Sequence, residues 1–249
     1  MQHLSDIDKD RYLLSFFADA PVRPALHVLD RFNYEIARLR EATAQPHVGM
    51  IRLQWWRERV AEIYEGKIST EHDVIPDLAR VVSAFGIGRS DVMALIDARE
   101  QDFLLEAPLT EEQFLEYARA THAPLLHMKS KIAGAKEKAA AIDTFAASYA
   151  VIGLVRAAPF HKEQGRALLP ELFPTSVAPH NAAMIESVKA VCRKMDEDVE
   201  GLTITSRYLK AHAVFVRLYL KHIAACGYDP FHLTPLPFLE LRLWWAAEF

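Results

Sequence analysis

Apolar residues recur at three- and four-residue steps along almost the whole chain, and this periodicity constrains the fold more than any other feature. From Pro24 onward, Leu26, Leu29, Phe32, Ile36 and Leu39 fall on one helical face, with Asp30, Arg31, Glu35, Arg38 and Arg40 largely between them. A second segment, 48–64, places Ile51, Trp55 and Ile63 on one side. Thr110-Glu-Glu-Gln113 reads as a capping box that starts a helix reaching about Ile132. Further helical stretches are predicted over about 72–85, 90–105, 136–157, 181–200 and 203–225, with a short one near 236–247. Breaks are expected at Pro46, Gly86/Gly88, Pro108, Gly134, Pro159, Gly201 and Gly227-Tyr-Asp-Pro230. The longest predicted loop is about 159–180, rich in Pro and His.

No convincing alternating strand interrupts this pattern, and glycine, at 9 of 249 residues, is too scarce for the many tight turns of an all-β fold. The reading is one all-α domain over 1–249. Residues 145–155 and 213–220 are apolar nearly all round, which fits either a large lined cavity or an ordinary filled core.

With 29 basic and 33 acidic residues the net charge is −4, so the composition offers no nucleic-acid surface. Hydrophobic residues make up 51% of the chain, which excludes a disordered class. The start, MQHLSDIDKDR, has early acids and no apolar stretch, unlike a signal or transit peptide. The longest apolar run, Phe145 to Val155, is closed by Arg156 and is shorter than the ~20 residues needed to cross a bilayer. A soluble or peripheral protein is expected. Cys192 and Cys226 read as free thiols.

No Gly-rich dinucleotide or phosphate loop, zinc-protease helix, nucleophile elbow or Cys/His cluster is present. His122 and His127 are not on one helix face, and His212 and His222 are far apart, so structural histidines are expected. Asp6/Asp10 and Asp73/Asp77 have the i, i+4 spacing of Mg²⁺-binding carboxylates, yet both pairs read as solvated acids near helix starts. The acidic run Asp196-Glu197-Asp198 reads as an exposed face.

Several segments together resemble the squalene/phytoene synthase family of head-to-head isoprenoid synthases. They are the stretch from Asp10 to Val60, Gly153 to Pro170 with its Gly-Arg-x-Leu-Leu-Pro tail at Gly165 to Pro170, and Pro237 to Phe249. The resemblance covers nearly the whole chain and implies an all-α isoprenoid-synthase fold around a central apolar cavity. Active members carry a DDxxD-like cluster where this chain has Ala37-Arg38-Leu39-Arg40-Glu41. Their second cluster, Arg-Asp-x-x-Glu-Asp, falls on Arg156-Ala157-Ala158-Pro159-Phe160-His161. Only Glu41 and Arg156 remain of the two clusters.

Ionising an allylic diphosphate requires its leaving charge to be neutralised, which Mg²⁺ bridged by carboxylates supplies. With Ala37, Arg38, Ala157, Phe160 and His161 at those positions, no catalytic residue and no metal site is expected. Arg38 and Arg40 are open to two readings, direct phosphate contact or solvated helix charges. Arg38, Glu41, Arg156, His161 and Arg166 are the ligand-binding candidates.

The pattern is most similar to a divergent branch of the family, the respiratory complex I assembly factors and their bacterial relatives. The shared stretches are Phe32 to Ala37, Arg52 to Trp56 and Arg156 to His161. For Trp55 and Trp56 core packing is the competing reading, and for Arg156 to His161 it is a helix end stopped by Pro159. The resemblance implies a non-catalytic protein acting on complex I subunits or assembly intermediates, with an isoprenoid-like lipid as candidate ligand and peripheral membrane contact. Its place would be cytoplasmic or peripheral to the inner membrane in a bacterium, or the matrix side of a mitochondrion. The alternative is a working prenyltransferase that uses Mg²⁺ through unconventional ligands such as Glu41 and Glu163. Trp244 and Trp245 read either as an interface for membrane or partner, or as part of a final helix docked on the core.

Overall fold

The computed structural model describes residues 4–43, 45–104, 109–172 and 181–248, and among these every regular element is helical. The chain divides into two compact units, residues 1–104 with 123–136 and residues 105–122 with 137–249.

The first unit holds α1 (Leu4–Ile7), α2 (Lys9–Ser15), α3 (Arg23–Ala37), α4 (Pro46–Tyr64), α5 (Val74–Phe85), α6 (Arg89–Ala98) and α7 (Gln101–Leu104). It also holds the second half of α8 (Glu111–Ile132). α3 begins with Pro24 in its first turn, where a missing N–H costs nothing. Its face Leu26, Leu29, Phe32 and Ile36 is buried, as the spacing predicts, against α5 and the short α1 and α2. A 3₁₀ turn, Arg38–Arg40, follows directly, with Leu39 still buried.

α4 departs from the expected register. Its buried positions are Gly49, Leu53, Trp56, Val60 and Ile63, while Ile51 is exposed and Trp55 half-buried. The segment is apolar enough to offer two faces, and contact with α5, α6 and α7 selects the one led by Leu53 and Trp56. Trp56 packs edge-on against Phe32, with ring centroids 5.5 Å apart. The stretch predicted as one helix over 90–105 is two, α6 and α7, separated by a turn at Arg99-Glu100; residue 105 lies outside the described residues.

Asp30 and Arg31, read from spacing as lying between the core positions, are buried. Lys129 Nζ donates to both Asp30 oxygens at 2.7 Å, and Arg11 Nε lies 3.7 Å from Oδ1. Arg31 pairs with Asp73 at 3.0 Å and Asp77 at 3.8 Å, so these two acids are ion-paired rather than freely solvated.

The second unit holds the first half of α8, then α9 (Ala139–Glu163), α10 (Ala182–Glu200), α11 (Arg207–Ala225) and α12 (Leu239–Glu248). The α8 start is the predicted capping box: Gln113 N donates to Thr110 Oγ1 at 3.2 Å, and Thr110 N to Gln113 Oε1 at 3.0 Å. Asn181 caps α10 and Ser206 caps α11, each side-chain oxygen accepting from the backbone N–H three residues on.

α9 corrects two expectations. It runs through Pro159 to Glu163 instead of stopping there, so the predicted loop over 159–180 begins later; residues 173–180 lie outside the described residues. A small residue, Ala158, precedes the proline and is buried, so packing holds the helical path despite the lost hydrogen bond. Beyond its last residue, Glu163, the chain turns at Gly165, whose φ of 68° permits the Arg166 N–H to return to the His161 carbonyl at 2.9 Å. At 25 residues α9 is long and apolar enough to cross a membrane, against the expectation drawn from residues 145–155 alone. More than half of its apolar window is buried within the protein, the mark of a core helix. α9 packs on α10 and α11, with Phe145, Tyr149, Ile152 and Val155 buried and Tyr149 stacked on Phe215.

His122 stacks on Tyr149 with ring centroids 4.7 Å apart, and His212 Nδ1 bonds the Tyr208 carbonyl at 3.0 Å. Cys192 is buried, and burial pushes its thiol up to about 12; Cys226 is half-buried, and both are free.

Candidate functional site

The first degenerate motif sits where α3 gives way to the 3₁₀ turn. Ala37 is half-buried, while Arg38 and Glu41 are exposed. Arg38 reaches Glu35 at 3.6 Å and stacks over the Tyr34 ring at 5.5 Å. Arg40 turns to the Thr43 carbonyl at 3.3 Å. Arg38 borders a pocket of about 230 Å³ lined also by Glu35, Arg52, Trp55, Trp56 and His72. His72 Nε2 lies 3.8 Å from Glu35, so the carboxylate in this lining is shared between an arginine and a histidine. Glu41 is not in the lining.

A larger groove of about 510 Å³ lies along the first half of α3. Pro21, Pro24, Val28, Val81 and Phe85 give it apolar walls, and Arg31, Asp77 and Arg80 mark one polar edge.

The second degenerate motif occupies the last turns of α9 in the other unit. Arg156 and Phe160 are exposed, Ala157 and His161 half-buried. The Arg156 guanidinium lies 4.5 Å over the Tyr219 ring of α11. Burial lowers the His161 imidazole to about 4, and the nearby positive charge of Arg166 pushes the same way. His161 is therefore neutral at physiological pH. Glu163 is exposed at the helix end.

These residues do not fit Mg²⁺. A hard divalent cation needs several converging oxygens. At the first motif Glu41 is exposed and outside the pocket lining, whose carboxylate, Glu35, lies against Arg38 and His72; at the second the positions hold an arginine, an alanine, a phenylalanine and a neutral imidazole. Among the described residues no three His, Cys, Asp or Glu side chains gather into a metal-binding group. The pocket is suited instead to an anion or a flat apolar group between Arg38, Arg52 and the tryptophans. The resemblance named Arg38 as a candidate and placed Glu35 and the Arg52 to Trp56 stretch in shared segments without assigning Glu35 a site role; His72 was not named, because only the fold brings it to Glu35.

The described helices define an all-α isoprenoid-synthase fold. The structure superposes on a dehydrosqualene synthase with a TM-score of 0.77 over 98% of this chain and 92% of that one, at 13% identity. Squalene synthase HpnC from Alicyclobacillus acidocaldarius gives a TM-score of 0.71 over 91% and 92% of the two chains, at 17% identity. Residues 4–244 match the squalene/phytoene synthase profile, and the chain belongs to that family. Among characterised relatives it is similar to NADH dehydrogenase (ubiquinone) complex I, assembly factor 6, at 27% identity for the Bos taurus protein and 26% for that of Homo sapiens. Both matches cover 66% of this chain and 49% of the relative, so the chain spans about half the length of those proteins.

Proposed function

We propose that this protein is a non-catalytic member of the synthase family that acts by contact in the assembly of respiratory complex I. The observation that carries the reading is the chemistry at the two motif positions. Ala37, Arg38, Ala157, Phe160 and His161 stand where a diphosphate-ionising enzyme places carboxylates, and Glu35 is engaged by Arg38 and His72. The similarity to complex I assembly factor 6 supports the same direction. Its partners in this reading are complex I subunits or assembly intermediates, met at the cytoplasmic face of a bacterial inner membrane or the matrix face of a mitochondrion. No metal takes part. The groove along α3 supports an isoprenoid-like lipid as ligand, because its size and apolar walls suit such a chain.

Gene deletion tests the reading. It should lower NADH:quinone oxidoreductase activity and leave carotenoid, squalene and hopanoid levels unchanged. Purified protein given Mg²⁺ and farnesyl diphosphate should release no pyrophosphate above background. Lost isoprenoids with normal respiration, or turnover that a chelator abolishes, would establish a prenyltransferase instead.

A further inference from the structure

We propose that the pocket bordered by the end of α3 and by α4 is a binding site for a small aromatic carboxylate. Its volume is about 230 Å³, and the side chains that line it all come from the first unit. Sites for drug-sized ligands run from about 300 to 1,000 Å³, so the occupant is compact, one or two rings in size.

The walls select a flat ring. Trp55 and Trp56 stand edge to face with ring centroids 5.0 Å apart, and the His72 ring meets Trp56 in the same way at 5.0 Å. Trp56 is buried and packs on Phe32 as well, so this aromatic surface is set by the core and needs little ordering when a ligand enters. Arg59 lies 5.7 Å over the Trp55 ring but is held by Glu62 and Glu71 at 2.9 Å each, outside the lining.

Charge selects a carboxylate. Arg38 lies 3.6 Å from Glu35, an ion pair without a direct hydrogen bond, and Arg52 has neither an acidic partner nor a hydrogen bond among the described residues. A surface arginine without a partner is ordinary; here two border the same small aromatic pocket. The two guanidiniums and the Glu35 carboxylate leave one net positive charge in the lining, which a single carboxylate balances. Each guanidinium fork also matches a carboxylate in shape and can bond both of its oxygens. A diphosphate carries more negative charge than this lining offsets, and Glu35 would repel the excess. Binding here goes beyond the assembly role and does not depend on it: calorimetry on purified protein tests the one, respiration in cells the other.

Titration calorimetry of the full chain with 2-naphthoate should give one site with a Kd below about 1 mM. Its uncharged isostere, 2-naphthamide, and its non-planar counterpart, decahydro-2-naphthoate, should each bind about tenfold more weakly. Arg52→Gln should weaken 2-naphthoate by a similar factor with Tm unchanged, because Arg52 makes no ion pair or hydrogen bond that the fold would lose. Arg52→Lys keeps the charge without the fork and should recover part of the affinity. Trp55→Leu should abolish the preference for the flat acid over the non-planar one, a ratio that a general loss of stability would not move. Absence of wild-type binding at millimolar ligand, equal affinity for acid and amide, or unaltered binding by Arg52→Gln overturns the proposal. So does displacement of 2-naphthoate by farnesyl diphosphate at lower concentration, with or without Mg²⁺, since the pocket would then be a diphosphate site.

Discussion

The Arg156 guanidinium lies 4.5 Å over the ring of Tyr219, so the arginine that survives from the second synthase motif is committed to an aromatic face of its own unit. At an exposed position such a contact stabilises by about 0.5–1 kcal/mol. Arg156→Ala and Tyr219→Leu should each lower stability, and a double-mutant cycle in urea should return a coupling of that size. A coupling near zero would show that Arg156 is held there by something other than the ring.

The buried pair Asp30–Lys129 predicts a larger effect. Desolvation lowers the Lys129 ammonium below the usual lysine range, with the Asp30 charge opposing that shift. Lys129→Met leaves a buried carboxylate with Arg11 at 3.7 Å as its remaining cation, and should cost about 3–5 kcal/mol. Asp30→Leu combined with Lys129→Met removes both charges and should recover most of that loss. Denaturant midpoints of the single and double variants check the order.

Much of the fold was legible because helix formation is local. The α3 face from Leu26 to Ile36, the Thr110 capping box and the all-α class each follow from spacing within one segment. What failed depends on partners elsewhere in the chain. The α4 register is chosen by α5, α6 and α7, α9 continues past Pro159 because packing outweighs a local helix breaker, and Asp30 is buried because a lysine 99 positions later meets it. At the candidate site, Arg38 and His161 were named from resemblance and Glu35 lay within a shared stretch, whereas the meeting of Glu35 with His72 was not readable, since it is tertiary.

Gly49 gives a third prediction. It lies on the buried face of α4, and a Cβ there would overlap the Phe103 ring of α7. Alanine is the better helix former, so on propensity alone Gly49→Ala would stabilise by about 0.5–1 kcal/mol. The overlap outweighs this: forcing the ring aside should produce a net loss of about 1–2 kcal/mol. Phe103→Leu, by making room, should restore part of the loss in the double variant. A Gly49→Ala protein more stable than the parent would show that α7 yields freely.

His161 ties stability to pH. Its folded value of about 4 lies below the 6.5 of a free imidazole, because burial and Arg166 disfavour the charged form. Between those values the unfolded chain binds a proton that the folded chain does not, so stability rises with pH across that window. The contribution is fully present above about pH 6.5 and is lost as pH falls toward about 4, reaching up to ~3 kcal/mol. His161→Gln should flatten the stability profile between those limits while leaving the profile above neutrality unchanged in shape. Unfolding by urea at a series of pH values measures it, and parallel profiles for the two proteins would mean that His161 titrates as a solvated histidine.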